Sequence, residues 1–347
     1  HMITVLAMMA VLWGTGAAMG APKRARWVMI SVLLGVVIAL QLALPNGHPL
    51  REATGGDVRL WLMIFAFIAI GLGYRALLRK VKARADAVRA PGPQDGPFSQ
   101  IELDRYARHI MLREVGGRGQ KALKDAKVLV VGAGGLGAPV LQYLAAAGVG
   151  TIGVIDDDLV ENANLQRQVI HTDAQIGRAK VLSAADAMTA QNPNVTVRPY
   201  QRRLTAEMAT TLIADYDLVL DGSDNFDTRY AVNAACAQLG KPLIAGALTQ
   251  WEGQISLYDP ARGAPCYACI FPDAPDPALV PACAEAGVVG PLPGVIGAMM
   301  ALETVKEITG AGEGLRGRLM IYDALYAQIR VISAKRRVDC KVCAGLH

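Results

Sequence analysis

Apolar and polar positions divide this chain into two unlike parts. Residues 2–21 form one uncharged, mostly apolar run, and residues 27–44 form a second. A third covers 58–78, uncharged from Leu60 to Tyr74 and continued past Arg75 by Ala76, Leu77 and Leu78. A spanning helix needs about 17–25 mostly apolar residues, so the pattern predicts two or three transmembrane helices and a membrane anchor over residues 1–90. For the first run a signal peptide is the alternative. Ala17, Ala18 and Gly20 suit a cleavage site, but no positive charge precedes the apolar stretch. Residues 91–97, Pro-Gly-Pro-Gln-Asp-Gly-Pro, read as a linker.

From residue 98 to 347 the pattern changes. Short apolar runs at Lys127 to Val131, Thr151 to Ile155 and Asp217 to Leu220 alternate with stretches of helical period, such as Val140, Leu141, Leu144 and Ala145. Strands alternating with helices predict a doubly wound α/β domain with a mixed sheet.

Charge orients the anchor. Lys23, Arg24 and Arg26 follow the first run, and Arg75, Arg79, Lys80, Lys82, Arg84 and Arg89 follow the third, against the single acid Asp86. Between the second and third runs Arg51 and Arg59 are offset by Glu52 and Asp57. The positive-inside rule puts both basic clusters in the cytoplasm. The expectation is a multi-pass protein of the inner (plasma) membrane with a cytoplasmic catalytic domain. The formal net charge of +5 for 347 residues equals that of residues 75–90. The basic character therefore faces the lipid bilayer, and no nucleic-acid partner is expected. Hydrophobic residues make up 52% of the chain, and the mean hydropathy is +0.29, in keeping with the apolar front.

Candidate chemistry begins at Gly132-x-Gly134-x-x-Gly137, which joins the first predicted strand to a helix. Glycines at this spacing permit a tight turn and close backbone approach, and the helix N-terminus favours phosphate. Asp156, at the end of the next strand, suits a ribose hydroxyl. These features alone fit a nicotinamide dehydrogenase equally well. Three further groups favour a triphosphate. Asn164 and Arg167 share a face in a helical turn, Lys180 opens a helix, and Asp221 and Asp224 follow a strand whose C-terminal end should carry ligands. Cations neutralise phosphates, and Asp224 can hold Mg²⁺. Taken singly, Arg167 could be a surface ion pair, Lys180 a helix-face charge and Asp224 a helix cap. Together they read as an enzyme that spends ATP to adenylate a carboxylate.

Six cysteines occur, all in the second part. Cys266-x-x-Cys269 and Cys340-x-x-Cys343 have the spacing of a closed four-thiolate Zn²⁺ site. Disulfides are the alternative, disfavoured in a domain that needs cytoplasmic ATP. Cys236 lies in a helical pattern and is expected in the core. His109 and His171 lack partner spacing, which leaves packing or surface roles.

Between Leu103 and Cys343 the chain resembles the ubiquitin-activating-enzyme-like family of bacterial sulfur-carrier adenylyltransferases (MoeB, ThiF and HesA). The resemblance rests on Arg105-Tyr106-x-Arg108, Val130 to Gly137, Asn164-Leu165-Gln166-Arg167-Gln168, Gly177-Arg178-x-Lys180 and Asp224-Asn225. It continues through Thr228-Arg229-Tyr230, Gly253-Gln254, Cys283 to Gly287 and Pro293 to Gly297. It implies a Rossmann-like, mostly parallel sheet with an antiparallel extension and a zinc knuckle, here preceded by transmembrane α-helices. It implies ATP contacts from Gly135, Asp156, Asn164, Arg167, Lys180, Asp224 and Asn225. It also implies a homodimer in which Arg108 reaches the neighbouring subunit's phosphates. The implied substrate is a ubiquitin-fold sulfur-carrier protein ending in Gly-Gly, of the molybdopterin-synthase or thiamine-biosynthesis type. Cys283 matches a position that is a covalent nucleophile in some relatives and dispensable in others; its plain alternative is a small loop residue. Ala163 departs from a position that is often small and polar. With no rhodanese-like stretch after Cys343, a separate sulfur donor, a desulfurase or rhodanese, is expected. The rivals are a tRNA threonylcarbamoyladenosine dehydratase-like enzyme and a non-catalytic membrane scaffold.

Overall fold

The computed structural model describes residues 2–55, 58–89, 96–274 and 287–345. It divides into two compact units, His1–Pro93 and Gln94–His347.

The first unit is helical. Helix α1 (Met2–Ala18) and α2 (Lys23–Ala43) are followed by a short α3 (Pro49–Ala53) and a long α4 (Val58–Arg89). The apolar pattern located the three long helices but not all of their ends. Helix α2 begins at Lys23, so the basic cluster forms its first turn, and α4 continues without a break into the basic segment. Helix α3 has no apolar pattern and follows from Pro49 at its first position, with the His48 side chain accepting from the Leu50 N–H. The interior is small: Val5, Val37 and Trp61 are buried together, with Met9, Leu34 and Ile64 against them.

The second unit is built on one eight-stranded sheet in the order β3-β2-β1-β4-β5-β6-β7-β8. Strands β1 (Lys127–Val131), β2 (Thr151–Ile155), β3 (Thr196–Tyr200), β4 (Leu218–Asp221) and β5 (Leu243–Leu248) are parallel. Strands β6 (Glu252–Tyr258), β7 (Arg318–Asp323) and β8 (Gln328–Ser333) extend it antiparallel. Strand β4 begins one residue later than its apolar run, so Asp221 is its last residue. The flanking helices are α5 (Gln100–Ile110), α6 (Gly116–Asp125), α7 (Gly137–Ala147), α8 (Lys180–Gln191), α9 (Ala206–Ala214), α10 (Phe226–Leu239), α11 (Tyr267–Ile270) and α12 (Pro291–Thr309). Val128, Val130, Leu141, Leu144, Val154 and Ile296 belong to one core layer, and Leu129, Val131, Ile213, Tyr216 and Val232 to the other. Alternate residues of β1 thus enter opposite layers, as a strand covered by helices on both faces must. The order of the strands reverses between β1 and β4, a topological switch point that opens a crevice at the strands' C-terminal ends.

Candidate nucleotide site

The crevice is lined by three loops. The first follows β1. Gly132 has φ +94°, and a Cβ at Gly137 would lie 1.9 Å from the Gly132 carbonyl oxygen. The turn is therefore closed to larger residues at these points. Gly135 packs beneath Pro293, the third residue of α12, at 3.1 Å for an added Cβ. The N-terminal end of α12 is thus built onto the glycine turn.

The second loop follows β2. Both carboxylate oxygens of Asp156 are engaged, accepting from the Ala133 N–H at 2.7 Å and the Asp158 N–H at 2.8 Å. Burial pushes the Asp156 carboxyl above the ordinary aspartate value, against the pull of those two amides. Asp156 therefore shapes the glycine turn. Its oxygens keep lone pairs for a ribose hydroxyl.

A 3₁₀ turn at Asn162–Asn164 leads to the Asn164–Gln168 run. The Arg167 guanidinium donates to Asn164 Oδ1 at 2.8 Å and to the Ala163 carbonyl at 3.2 Å. The shared face expected for Asn164 and Arg167 is present, and the alanine departure costs Arg167 nothing, because the main chain of residue 163 is its acceptor. Lys180 opens α8 with its side chain buried, and its ammonium meets the exposed Asp158 carboxylate at 2.7 Å.

The third loop follows β4. Asp221 and Asp224 were both expected to face ligand, and the structure separates them. Asp221 is buried, its Oδ1 accepting from the Ser223 N–H at 2.9 Å and the Ser223 hydroxyl at 2.6 Å. Its carboxylate is consumed in folding the loop. Asp224 is exposed and forms no ion pair among the described residues. Nor is it the cap of α10: Asn225 fills that place, its Oδ1 accepting from the Thr228 N–H at 2.9 Å. Asn225 therefore has only its amide N–H₂ group to offer a ligand, and that group also makes a long 3.5 Å bond to Asp224 Oδ1.

Two positioning residues were not legible from spacing. His171 is buried, 2.9 Å from the Ala133 carbonyl through Nε2 and 2.7 Å from the Ser183 hydroxyl through Nδ1. A carbonyl only accepts, so Nε2 carries a proton, while the Ser183 hydroxyl beside Nδ1 donates to Gln175 Oε1 at 2.7 Å. Burial holds the imidazole below the ordinary histidine value. Arg229 is buried and donates to the carbonyls of Ser223 at 2.5 Å and Gly246 at 2.7 Å, tying the third loop to β5. The partners of His171 and Arg229 are remote in sequence, and only the run Thr228-Arg229-Tyr230 hinted at Arg229.

Arg108 stands apart. Its neighbours on α5 pack against the C-terminal end of α7: a Cβ at Gly148 would strike the Tyr106 ring at 2.5 Å, and His109 meets Gln120, which donates to the Ala147 carbonyl. Eleven residues of α7 separate that end from the glycine turn by about 16 Å, beyond the reach of an arginine side chain. The Arg108 guanidinium is exposed and has no partner among the described residues.

Away from the crevice, Cys266, Cys269, Cys340 and Cys343 are buried together and none is in a disulfide. Sγ separations are 3.8 Å (266–269), 3.6 Å (266–340) and 3.4 Å (269–343). Thiolates around a tetrahedral zinc ion stand about 3.8 Å apart for bonds of about 2.3 Å, so the four fit that ion. The Arg337 N–H donates to Cys269 Sγ at 3.4 Å, a bond that orients this sulfur and favours its thiolate. Cys236 is buried in α10, as expected. Cys283 lies outside the described residues.

Comparison with known proteins agrees with this geometry. The ThiF family model matches residues 106–342. The sulfur carrier protein adenylyltransferase of Thermus thermophilus is 51% identical over 250 residues, 71% of this chain and 92% of that protein. The SAMP-activating enzyme E1 of Haloferax volcanii is 48% identical over 242 residues, 70% of this chain and 89% of that protein. The probable adenylyltransferase/sulfurtransferase MoeZ of Mycobacterium tuberculosis is 49% identical, and the match spans 62% of its length. Among solved structures, Escherichia coli MccB crystallised with ATP superposes with a TM-score of 0.61 at 24% identity, over 70% of this chain and 75% of that one. That likeness speaks for the fold alone.

Proposed function

The chain belongs to the ThiF family, and from that premise we propose that it adenylates the C-terminal glycine carboxylate of a ubiquitin-fold sulfur carrier. One carboxylate oxygen attacks the α-phosphorus of ATP. The bond from that phosphorus to the bridging oxygen breaks, pyrophosphate leaves, and an acyl-adenylate remains for sulfur transfer from a separate donor. The observation that carries the proposal is the grouping of three loops at the switch point of the sheet: Arg167 Cδ lies 3.9 Å from a Cβ at Gly135, Lys180 sits on Asp158 beside the turn, and the loop of the exposed Asp224 packs on Gly132 through Gly222 and Ser223.

The chemistry explains why these residue types are needed. Carboxylate and triphosphate are both anions, so their approach must be screened. The turn and the N-terminus of α7 offer main-chain N–H groups to phosphate. Arg167, already fixed by Asn164, presents its remaining guanidinium donors without further ordering. The buried Lys180 ammonium keeps two donors beyond its bond to Asp158. Mg²⁺ suits Asp224, an exposed hard-oxygen ligand not committed to the fold, better than Asp156 and Asp158, which are already bonded. Bound there, the ion would supply charge screening for the leaving pyrophosphate.

Arg108 supports a homodimer: it is exposed, has no partner among the described residues and lies on the helix packed at the end of α7 remote from the glycine turn, where a second copy's triphosphate could meet it. Zinc in the four-cysteine cluster is structural, because four thiolates leave no open position.

The test is ATP–pyrophosphate exchange dependent on a carrier ending in Gly-Gly. Asp224→Ala should lower exchange by at least about 100-fold. The melting temperature should not move, since Asp224 neither caps α10 nor forms an ion pair. Wild-type exchange in that variant would remove Asp224 from the site. No exchange with any such carrier would remove the reaction.

A further inference from the structure

We infer that the first unit is an integral membrane anchor, inserted with its loop between α2 and α3 outside and its basic end on anionic lipid headgroups. Three independent features of the unit point to a lipid bilayer.

The first is what its helices expose. Helix α2 has 21 residues and the apolar part of α4, Trp61–Lys82, has 22, lengths of about 31–33 Å that match a hydrocarbon core of about 30 Å. Val28, Val32 and Val36 of α2 and Leu62, Phe67 and Ile70 of α4 are each more than half exposed. A water-soluble helical unit buries such residues. Here the interior is filled by a few side chains, and the apolar majority faces outward.

The second feature is the end that carries no excess charge, where the chain crosses from α2 to α4. Its polar groups are tied to one another, save Gln41 Oε1 and Arg51 Nε, which are buried without a partner. Gln41, buried, donates from Nε2 to the Arg51 carbonyl and to Thr54 Oγ1, both at 2.9 Å. Trp61 Nε1 donates to the Thr54 carbonyl at 3.0 Å, the Thr4 hydroxyl to the Ala53 carbonyl at 2.7 Å, and Arg51 to the Leu44 carbonyl at 2.8 Å. Carbonyls of a loop at the rim of a bilayer need such internal donors, because lipid offers none. In a loop bathed by water the same carbonyls are satisfied without them.

The third feature is the opposite end. The antiparallel run of α1, α2 and α4 brings Lys23, Arg24 and Arg26 to the same end as Arg75, Arg79, Lys80 and Lys82, and no acid lies among them. Trp13 and Trp27 pack edge to face at this end, with ring centroids 5.2 Å apart and Arg26 5.6 Å from the Trp13 ring. Basic residues beside tryptophan, at the end of an apolar belt, have the composition of a cytoplasmic headgroup interface. The chain that follows α4 is then cytoplasmic, on the side where ATP is found.

The test uses the full chain expressed in bacterial cells. The protein should pellet with membranes and resist alkaline carbonate. Asn46→Cys, in the exposed loop after α2, should be labelled by a membrane-impermeant maleimide on intact cells at least about tenfold above the wild-type chain, whose own six cysteines lie on the inner side. Replacing Arg75, Arg79, Lys80 and Lys82 together by Gln should lower that labelling several-fold by weakening the orientation. Release into the carbonate supernatant would overturn the inference, as would a lipid-free soluble oligomer, which would show that copies of the chain cover these faces. Labelling of Asn46→Cys only after permeabilisation would overturn the orientation.

Discussion

Replacing Gly137 by Ala tests the geometry of the nucleotide turn directly. The added Cβ would sit 1.9 Å from the Gly132 carbonyl oxygen and 2.8 Å from its carbon. Cβ atoms essentially never approach other atoms closer than 3.0 Å, so the start of α7 must retreat from the turn by about 1 Å. Overpacking of this kind costs about 1–3 kcal/mol, and the better helix propensity of Ala offsets about 1 kcal/mol of it. For a domain of this size each kcal/mol moves the melting temperature by about 2–4 °C. The expected fall is therefore modest, at most about 8 °C. The functional loss should be far larger, because a 1 Å misplacement of groups that hold a reacting phosphate costs about 100-fold. The assay pairs thermal melting with ATP titration and carrier-dependent ATP–pyrophosphate exchange. Gly134→Ala is the control for folding: its added Cβ would meet only Gln168 Nε2, at an ordinary 3.5 Å, and its melting temperature should stay within about 1 °C. If Gly137→Ala exchanges pyrophosphate within threefold of the wild type, the turn is not held in the position described and the reasoning fails.

Two further predictions concern the supports of the site. Burial keeps the His171 imidazole neutral below its ordinary value of 6.5. The unfolded chain thus takes up a proton that the folded chain refuses, and stability and ATP affinity should both fall as pH drops through about 6.5. His171→Gln, which can still donate to the Ala133 carbonyl, should flatten this dependence, and His171→Phe should weaken ATP binding at every pH. An unchanged pH profile in the Gln variant would show that His171 is not the titrating group. At the four-cysteine cluster, a bound metal would join segments 74 residues apart, a closure worth about 4 kcal/mol by loop entropy. Chelation, or Cys343→Ser, should lower the melting temperature by about 8–16 °C, with one zinc per chain found by elemental analysis before treatment and none after. A chain without zinc whose melting is indifferent to chelator would refute this.

How far the sequence carried depends on what kind of information each residue needs. Strands β1 and β2, helix α7 and the start of α8 were legible because their apolar period, glycine punctuation and caps are local signals. The four cysteines were legible despite their separation because each pair keeps the spacing of a metal knuckle. Helix α3 was not, being a single turn with no apolar face. The apolar pattern alone stops short of the end of α4 for another reason. Basic residues ended the apolar run but not the helix, since Arg and Lys are good helix formers.

The residues of the crevice divide along the same line. Arg229 and His171 are bonded inside the fold to partners remote in sequence, and the buried Asp221 to its own loop at Ser223. Nothing in a linear spacing distinguishes such a residue from a catalytic one, and Asp221 was accordingly expected beside Asp224. The fold separates the two by what it leaves undone. Asp224 and Arg108 are exposed and form no ion pair among the described residues; the one bond to Asp224 is a 3.5 Å contact from its neighbour Asn225. A charged side chain on which the fold makes no claim is free to meet a ligand without breaking a native bond. Asp224 stands at the mouth of its own crevice. Arg108 lies on the helix packed at the far end of α7, which is why its proposed role is toward the crevice of a second copy.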